Sequence, residues 1–304
     1  MNETNIESKA GFVAVIGRPN VGKSSVINAL LGQKVAAVSP RPQTTRKRQL
    51  GILSIDDDHR AVQIIFVDTP GIHHPMHKLG EKMNQEAKDI LEDSDLIMLV
   101  VDVSQPPNDE DQLLFELLRK LHRDIPVILA LNKMDLISED ELISTKEVFI
   151  QSVPGAFDIP ISATRNKNIQ NLLDQIINHL PEGYPFYPQD QITDLYEREI
   201  AADLIREAAL KILREEVPHG IAVRIDQFTE RGDTGAYIEA TLFVERESHK
   251  PIVVGKGGKM IKEIGSAARK EIETMSGRKV YLRLNVKVRK DWRNDEKILR
   301  RFGY

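Results

Sequence analysis

Near its start the chain reads GRPNVGKSS, and the residues from Gly17 to Ser24 have the form G-x-x-x-x-G-K-[ST]. The apolar run FVAVI precedes this string and the helix-patterned SSVINALLG follows it. That context limits the fold more than any other feature, because a loop between such a strand and helix belongs to a mostly parallel sheet covered by helices. Gly17 and Gly22 let the backbone through Arg18, Pro19, Asn20 and Val21 curl until its N–H groups face a phosphate. The N terminus of the next helix adds positive potential there. Lys23 would reach the β- and γ-phosphates, the Ser24 hydroxyl would coordinate Mg²⁺, and Ser25 belongs to the same nucleotide-binding turn.

From Gly11 to about Leu180 the apolar runs AVQIIFV, DLIMLVVDV, IPVILAL and FDIPIS alternate with helical periods such as DEDQLLFELLRKLH and NIQNLLDQIINHL. An α/β domain with helices on both faces of its sheet is expected. Three further elements arrive in order. Asp68, Thr69, Pro70 and Gly71 end AVQIIFV, where the Asp68 carboxylate can hold Mg²⁺ through water and the Gly71 N–H can sense a γ-phosphate. Asn132, Lys133, Met134 and Asp135 end IPVILAL. The Asp135 carboxylate can accept from guanine N1–H and N2–H₂, whereas the bare N1 of adenine would repel it at a cost of kilocalories. Ser162 and Ala163, after FDIPI, supply a backbone N–H for guanine O6. The nucleotide is therefore GTP, with GDP as product, rather than ATP.

Over about residues 11–180 this set resembles the translation-factor-like branch of GTPases, and GRPNVGKSS with PQTTRKR is similar to its Era-type (TrmE–Era–EngA-like) members. The resemblance implies a first switch at Pro42–Arg48, with Thr45, or else Thr44, folding over Mg²⁺ and the γ-phosphate. Lys23, Thr45 and Gly71 are then the catalytic set, and Ser24, Thr45 and Asp68 the metal set. Ile72 stands where a water-orienting Gln often follows. Without donor or acceptor it cannot place the attacking water, so unaided hydrolysis should be slow, on the order of 10⁻⁴ to 10⁻² per second. Asn20 resembles a residue that coordinates K⁺ in related GTPases, which makes K⁺ a hypothesis for this chain. His73, His74 and His77 lack carboxylate or thiolate companions and read as loop residues.

LPEGYPFYPQDQ then reads as a linker. The expected domains are 1–182, a linker at 183–193, and a smaller α+β domain at 194–304 with a basic tail. Charge shifts across it: residues 1–190 carry 19 basic and 27 acidic side chains (net −8), residues 191–304 carry 23 and 19 (net +4), and 255–301 carry 15 and 6 (net +9). A basic back half suggests a polyanionic partner. The string IVVGKGGKMIKEIG fails as a second nucleotide loop, because Val253 replaces the needed glycine and Met260 the needed Ser or Thr. It fits the G-x-x-G of a KH domain at Gly255, Lys256, Gly257 and Gly258, between IVV, read as strand-like, and an apolar-periodic helix. Bare glycines let an unpaired RNA backbone pass close, and Lys256, Lys259, Lys262, Arg289 and Lys290 meet its phosphates. Arg293, Arg300 and Arg301 extend that basic set, and Trp292 is either core or a stacking platform. The α-β-β-α-β order resembles the type II KH arrangement.

End to end, a P-loop GTPase domain and then a type II KH domain, the chain resembles the Era family. That implies a monomeric cytoplasmic factor that binds small-subunit ribosomal RNA near its 3′ end, assists maturation of the small (30S) ribosomal subunit, and associates in part with the inner face of the cell membrane. Two other readings stay open: an RNA scaffold that never turns GTP over, and a signalling GTPase whose basic tail meets anionic lipid. Composition fits a soluble protein of a reducing compartment. There are no cysteines, the opening MNETNIESKAG is unlike a secretory signal, and LIMLVV falls far short of the roughly 20 residues of a spanning helix.

Overall fold

Strand β4 (Leu96–Asp102), LIMLVVD, is buried at every position, as expected of a parallel strand covered on both faces. The computed structural model describes residues 7–33, 49–56, 60–70, 77–121, 123–193, 197–214, 217–231 and 235–302. The chain divides into two units, residues 83–194 belonging to the first and residues 195–304 to the second.

The first unit is built on β1 (Glu7–Ile16), β2 (Gln49–Asp56), β3 (Arg60–Asp68), β4, β5 (Val127–Asn132) and β6 (Phe157–Pro160), in sheet order β2-β3-β1-β4-β5-β6. All neighbouring pairs are parallel except β2 with β3. Alternation along the strands sorts the core into two layers. Val13, Val15, Met98, Val100 and Ile128 pack against α1 (Lys23–Leu31) and α5 (Ile169–His179). Ala14, Ile16, Leu99, Val101 and Leu129 pack against α2 (Lys78–Asp93), α3 (Asp109–Arg119) and α4 (Glu139–Ser152). The expected doubly covered sheet is present. The antiparallel edge strand β2 adds to it.

The proline-rich segment expected as a linker is, through Ile192, docked on this unit. Phe186 lies against Phe12 with ring centroids 5.1 Å apart. Buried Gln63 on β3 donates to the Tyr187 carbonyl at 2.8 Å and accepts from the N–H groups of Phe186 and Tyr187 at 2.7 and 2.9 Å. The Ile52 N–H donates to the Ile192 carbonyl at 2.7 Å. A chain whose backbone groups are satisfied by a sheet's side chains and edge strand has little freedom there.

The second unit holds α6 (Glu197–Ile212), β7 (Ala222–Arg231), β8 (Gly235–Val244), α7 (His249–Val254), α8 (Lys259–Ser276), β9 (Lys279–Val288) and α9 (Glu296–Arg301). Its sheet order is β7-β8-β9, with β7 antiparallel and β9 parallel to β8. Leu204, Ile205 and Ala208 of α6 and Ile264, Ala268 and Ile272 of α8 cover Ile238, Ala240 and Leu242 of β8. The run IVV belongs to the short helix α7, not to a strand, because burial of Val253 against the helical layer outweighs the β preference of branched residues. Trp292 is fully buried and its indole N–H donates to the Gly220 carbonyl at 2.9 Å, so it is core and not a stacking platform. Among the described residues no helix is long and apolar enough to cross a membrane.

Candidate functional site

The C-terminal ends of β1, β3, β4 and β5 converge where the strand order reverses about β1, the usual ligand crevice of an open parallel sheet. The loop after β1 turns into α1 through Gly22, at φ 100°. A Cβ there would lie 2.5 Å from the Asn132 amide nitrogen, so both the backbone angle and the close approach demand glycine. Lys23 is buried and its ammonium donates to the carbonyls of Gly17 at 3.0 Å and Arg18 at 3.2 Å. Burial pushes it down to about 8, against the pull of Asp68 and Glu110. A desolvated ammonium held on neutral carbonyls is poised for an anion.

The Ser24 hydroxyl donates to an Asp68 carboxylate oxygen at 2.7 Å. Two hard oxygen donors beside a buried lysine are the set that suits Mg²⁺, so the residues fit the metal the sequence implied. Asn132, nearly fully buried, joins two loops: its amide N–H donates to the Val21 carbonyl at 2.8 Å and its oxygen accepts from the Ala163 N–H at 3.1 Å. Met134 N–H donates to the Ile161 carbonyl, fastening the turn that carries Asp135 to the end of β6. Asp135 is mostly buried, 3.9 Å from the Arg165 guanidinium.

Several sequence-identified residues have other employment. The N–H groups expected for guanine O6 are engaged within the protein, Ala163 with Asn132 and Ser162 with the Lys167 carbonyl. The Thr69 hydroxyl donates to the Val15 carbonyl at 2.8 Å, and Pro70 is buried. Arg18 turns its side chain to Asp111 at 3.2 Å and toward Asp102 at 4.0 Å, leaving its backbone for the loop. Lys133 donates to Asp102 at 2.6 Å. Burial would raise the Asp102 carboxyl, but hydrogen bonds from Lys133 and Ser104 outweigh it and hold it below the ordinary value. Burial prevails at Asp111 and raises it. Asp102 and Asp111 escaped the sequence reading; the acid closing LIMLVVD was the available signal. Thr44, Thr45, Gly71, Ile72, His73 and His74 lie outside the described residues.

At the second candidate site Gly257 and Gly258 have φ of 62° and 77°, left-handed angles, with open space where a Cβ would stand. A polyanion backbone can approach closely there. Lys256, Lys259, Lys262, Arg289 and Lys290 are exposed. Because α8 runs antiparallel to the returning β9, its N terminus and the residues after β9 share one end of the unit. Between α8 and β9 lies a groove of about 320 Å³, lined by Ile261, Lys262, Gly265, Arg269, Leu282 and Leu284. Of these, only Lys262 was legible from the sequence; an apolar floor shared by a helix and the strand that follows it leaves no local motif. Arg293 is held in a two-pronged pair by Glu245, which removes it from the expected phosphate contacts.

Residues 12–133 match the family described as 50S ribosome-binding GTPase, and residues 216–293 match the KH domain family. The chain is similar to the crystal structure of Era in complex with MgGDPNP and nucleotides 1506–1542 of 16S ribosomal RNA. Identity is 40% over 98% of this chain and 99% of that chain, with a TM-score of 0.91. It is also similar to a point variant of Aquifex aeolicus Era bound to GDP·AlF₄⁻, at 40% identity over 97% of this chain and 99% of that one, with a TM-score of 0.90.

Proposed function

The chain belongs to the Era family of GTP hydrolases, and from that membership we propose that it is a slow, Mg²⁺-dependent GTPase switch that binds small-subunit ribosomal RNA through its KH domain and assists 30S maturation. The observation that carries the nucleotide half is the two-way bridge of Asn132, which ties the phosphate loop at Val21 to the base-recognition loop at Ala163. Lys23 leaves its two carbonyls for the β/γ oxygens, and the loop N–H groups orient the triphosphate. Ser24 and Asp68 hold Mg²⁺, which when bound neutralises charge on the transferring phosphoryl group. Asp135 selects guanine, with the Ala163 N–H keeping its bond to Asn132 and offering O6 a second, shared contact. Thr45, or else Thr44, and Gly71 are assigned to the γ-phosphate on the family resemblance alone. No protein nucleophile takes part; catalysis is positioning and charge stabilisation.

For the RNA half, the left-handed glycines and the adjoining apolar groove support an unpaired strand, with bases in the groove and phosphates on Lys256, Lys259 and Lys262. Asn20, exposed at φ 67° in the phosphate loop, supports K⁺ as an activating ion. Equal hydrolysis rates in Na⁺ and K⁺ would end that part of the reading. The net charge of +9 across 255–301 supports both RNA and a peripheral contact with anionic lipid for a cytoplasmic monomer.

Single-turnover hydrolysis with and without the 1506–1542 RNA tests the whole. Turnover of GTP to GDP is expected, with RNA affinity that depends on the nucleotide by about 5- to 150-fold. GTP released intact would favour a scaffold instead. Gly257→Asp with Gly258→Asp should abolish RNA binding and spare GTP.

A further inference from the structure

β9 is an edge strand with two chemically different faces. Toward the helices it presents Leu282 and Leu284, the floor of the groove. On the opposite face Lys279, Tyr281 and Arg283 follow at the two-residue period, and all three are exposed, Tyr281 by 65%. Tyr281 pairs in register with Tyr237 of β8, and the two rings stack, with centroids 5.5 Å apart and planes within 10°.

Two stacked rings rising from adjacent strands form a short column. Because among the described residues no strand lies beyond β9 in this sheet, the Tyr281 ring face turned away from Tyr237 ends that column at the sheet edge. A flat, exposed aromatic face flanked on its own strand by a lysine and an arginine suits an unpaired base with a phosphate on either side. The acidic neighbour, Glu239, is occupied: it accepts from Asn285 at 2.9 Å and from the Tyr237 hydroxyl at 3.4 Å, and lies 3.8 Å from the Arg283 guanidinium. Further along this face Phe302 packs on Phe243 and closes the sheet. The open part is thus confined to the Tyr237–Tyr281 end.

Position supplies the second argument. The groove is lined from Ile261, in the first turn of α8 just after the glycine loop, to Arg269 and Leu282 at its other end. Leu282 adjoins Tyr281, so a strand leaving the groove has only the width of β9 to cross before it meets the tyrosine column.

We propose that the outer face of β9, centred on Tyr281 with Lys279 and Arg283, is a second RNA subsite that stacks an unpaired base of the strand emerging from the groove. This rests on the KH reading above. The subsite adds affinity and length selectivity to the groove and needs no base-edge hydrogen bonds, because every base offers a π face.

The test uses the full-length protein and fluorescence anisotropy with the 1506–1542 RNA and a series trimmed from either end. Tyr281→Ala should weaken the longest RNA by roughly 5- to 100-fold and leave the shortest RNA that still needs Gly257 and Gly258 unchanged. Tyr281→Phe should restore full affinity. Arg283→Ala should reduce the salt slope for the long RNA by about one ion. Equal affinity of wild type and Tyr281→Ala at every length overturns the proposal, as does an equal loss at every length, which would place Tyr281 in support of the groove. If the Gly257→Asp, Gly258→Asp variant binds all RNAs normally, the groove reading fails; a length-dependent loss on Tyr281→Ala would then still support this subsite.

Discussion

Replacing Asn132 by alanine removes both halves of the bridge between the phosphate loop and the loop after β6. The Val21 carbonyl, in a fully buried residue, and the Ala163 N–H lose partners held at 2.8 and 3.1 Å. Each lost hydrogen bond is worth about 0.5–1.5 kcal/mol net, and a buried group left without a partner costs about 1–3 kcal/mol. Neighbouring water can reach the partly exposed Ala163, so the sum is roughly 2–4 kcal/mol, or about 30- to 1,000-fold in an equilibrium constant. Because the bridge fixes two loops whose order matters for ligand more than for the core, most of this loss should fall on nucleotide affinity. Titration with a fluorescent GDP analogue, set beside thermal unfolding of the free protein, separates the two. Asn132→Asp adds a sign test. It keeps an acceptor for Ala163 but turns an oxygen toward the Val21 carbonyl, so it should bind nucleotide no better than Asn132→Ala. A variant that binds GDP within about threefold of wild type, or an aspartate that rescues the alanine, would refute the reasoning.

Asp135→Asn should exchange preference from guanine to xanthine nucleotides, since the amide can donate to the xanthine oxygen that replaces the guanine amine; competition of XTP against GTP reads this, and retained GTP preference would contradict it. The Lys23 ammonium sits near 8 in the free protein, and bound phosphate stabilises its charged form. Nucleotide capture should therefore take up a proton above about pH 8, and affinity should be level below that pH and fall by up to about tenfold per unit above it. Calorimetry at pH 9 in buffers of different ionisation heat measures the uptake, and none would sink the assignment. Trp292→Ala should destabilise the second unit by about 3–5 kcal/mol in denaturant unfolding, whereas Trp292→Phe, which keeps an aromatic ring but loses the bond to Gly220 and part of the buried volume, should cost less than the alanine.

What the sequence revealed follows the range of the interactions involved. The phosphate loop is legible because its geometry depends on neighbours: Gly22, Lys23 and Ser24 act within one turn of chain. Asp68 and Asn132 are legible as types at strand ends, yet their partners Ser24, Val21 and Ala163 come from loops far apart in sequence. Local propensity misassigned IVV, whose helical state depends on where Val253 is buried. The prolines of the docked segment truthfully signal irregular backbone, but nothing local tells that Gln63 will bind it. Arg293 reads as one more cation until Glu245, distant in the chain, takes both prongs of its guanidinium.

The parallel register of β9 on β8 fixes which side chains of β9 meet the helices. Side chains alternate along a strand, so sliding the pairing by one position exchanges its faces wholesale. Only Gly277 and Arg278 separate α8 from β9. Inserting or deleting one residue in that connection would carry Tyr281 and Arg283 under the helices and push Leu282 and Leu284 into water, unless the turn absorbed the change. Two added residues would preserve the parity. The length of this turn, more than its composition, is therefore what evolution cannot change in single steps.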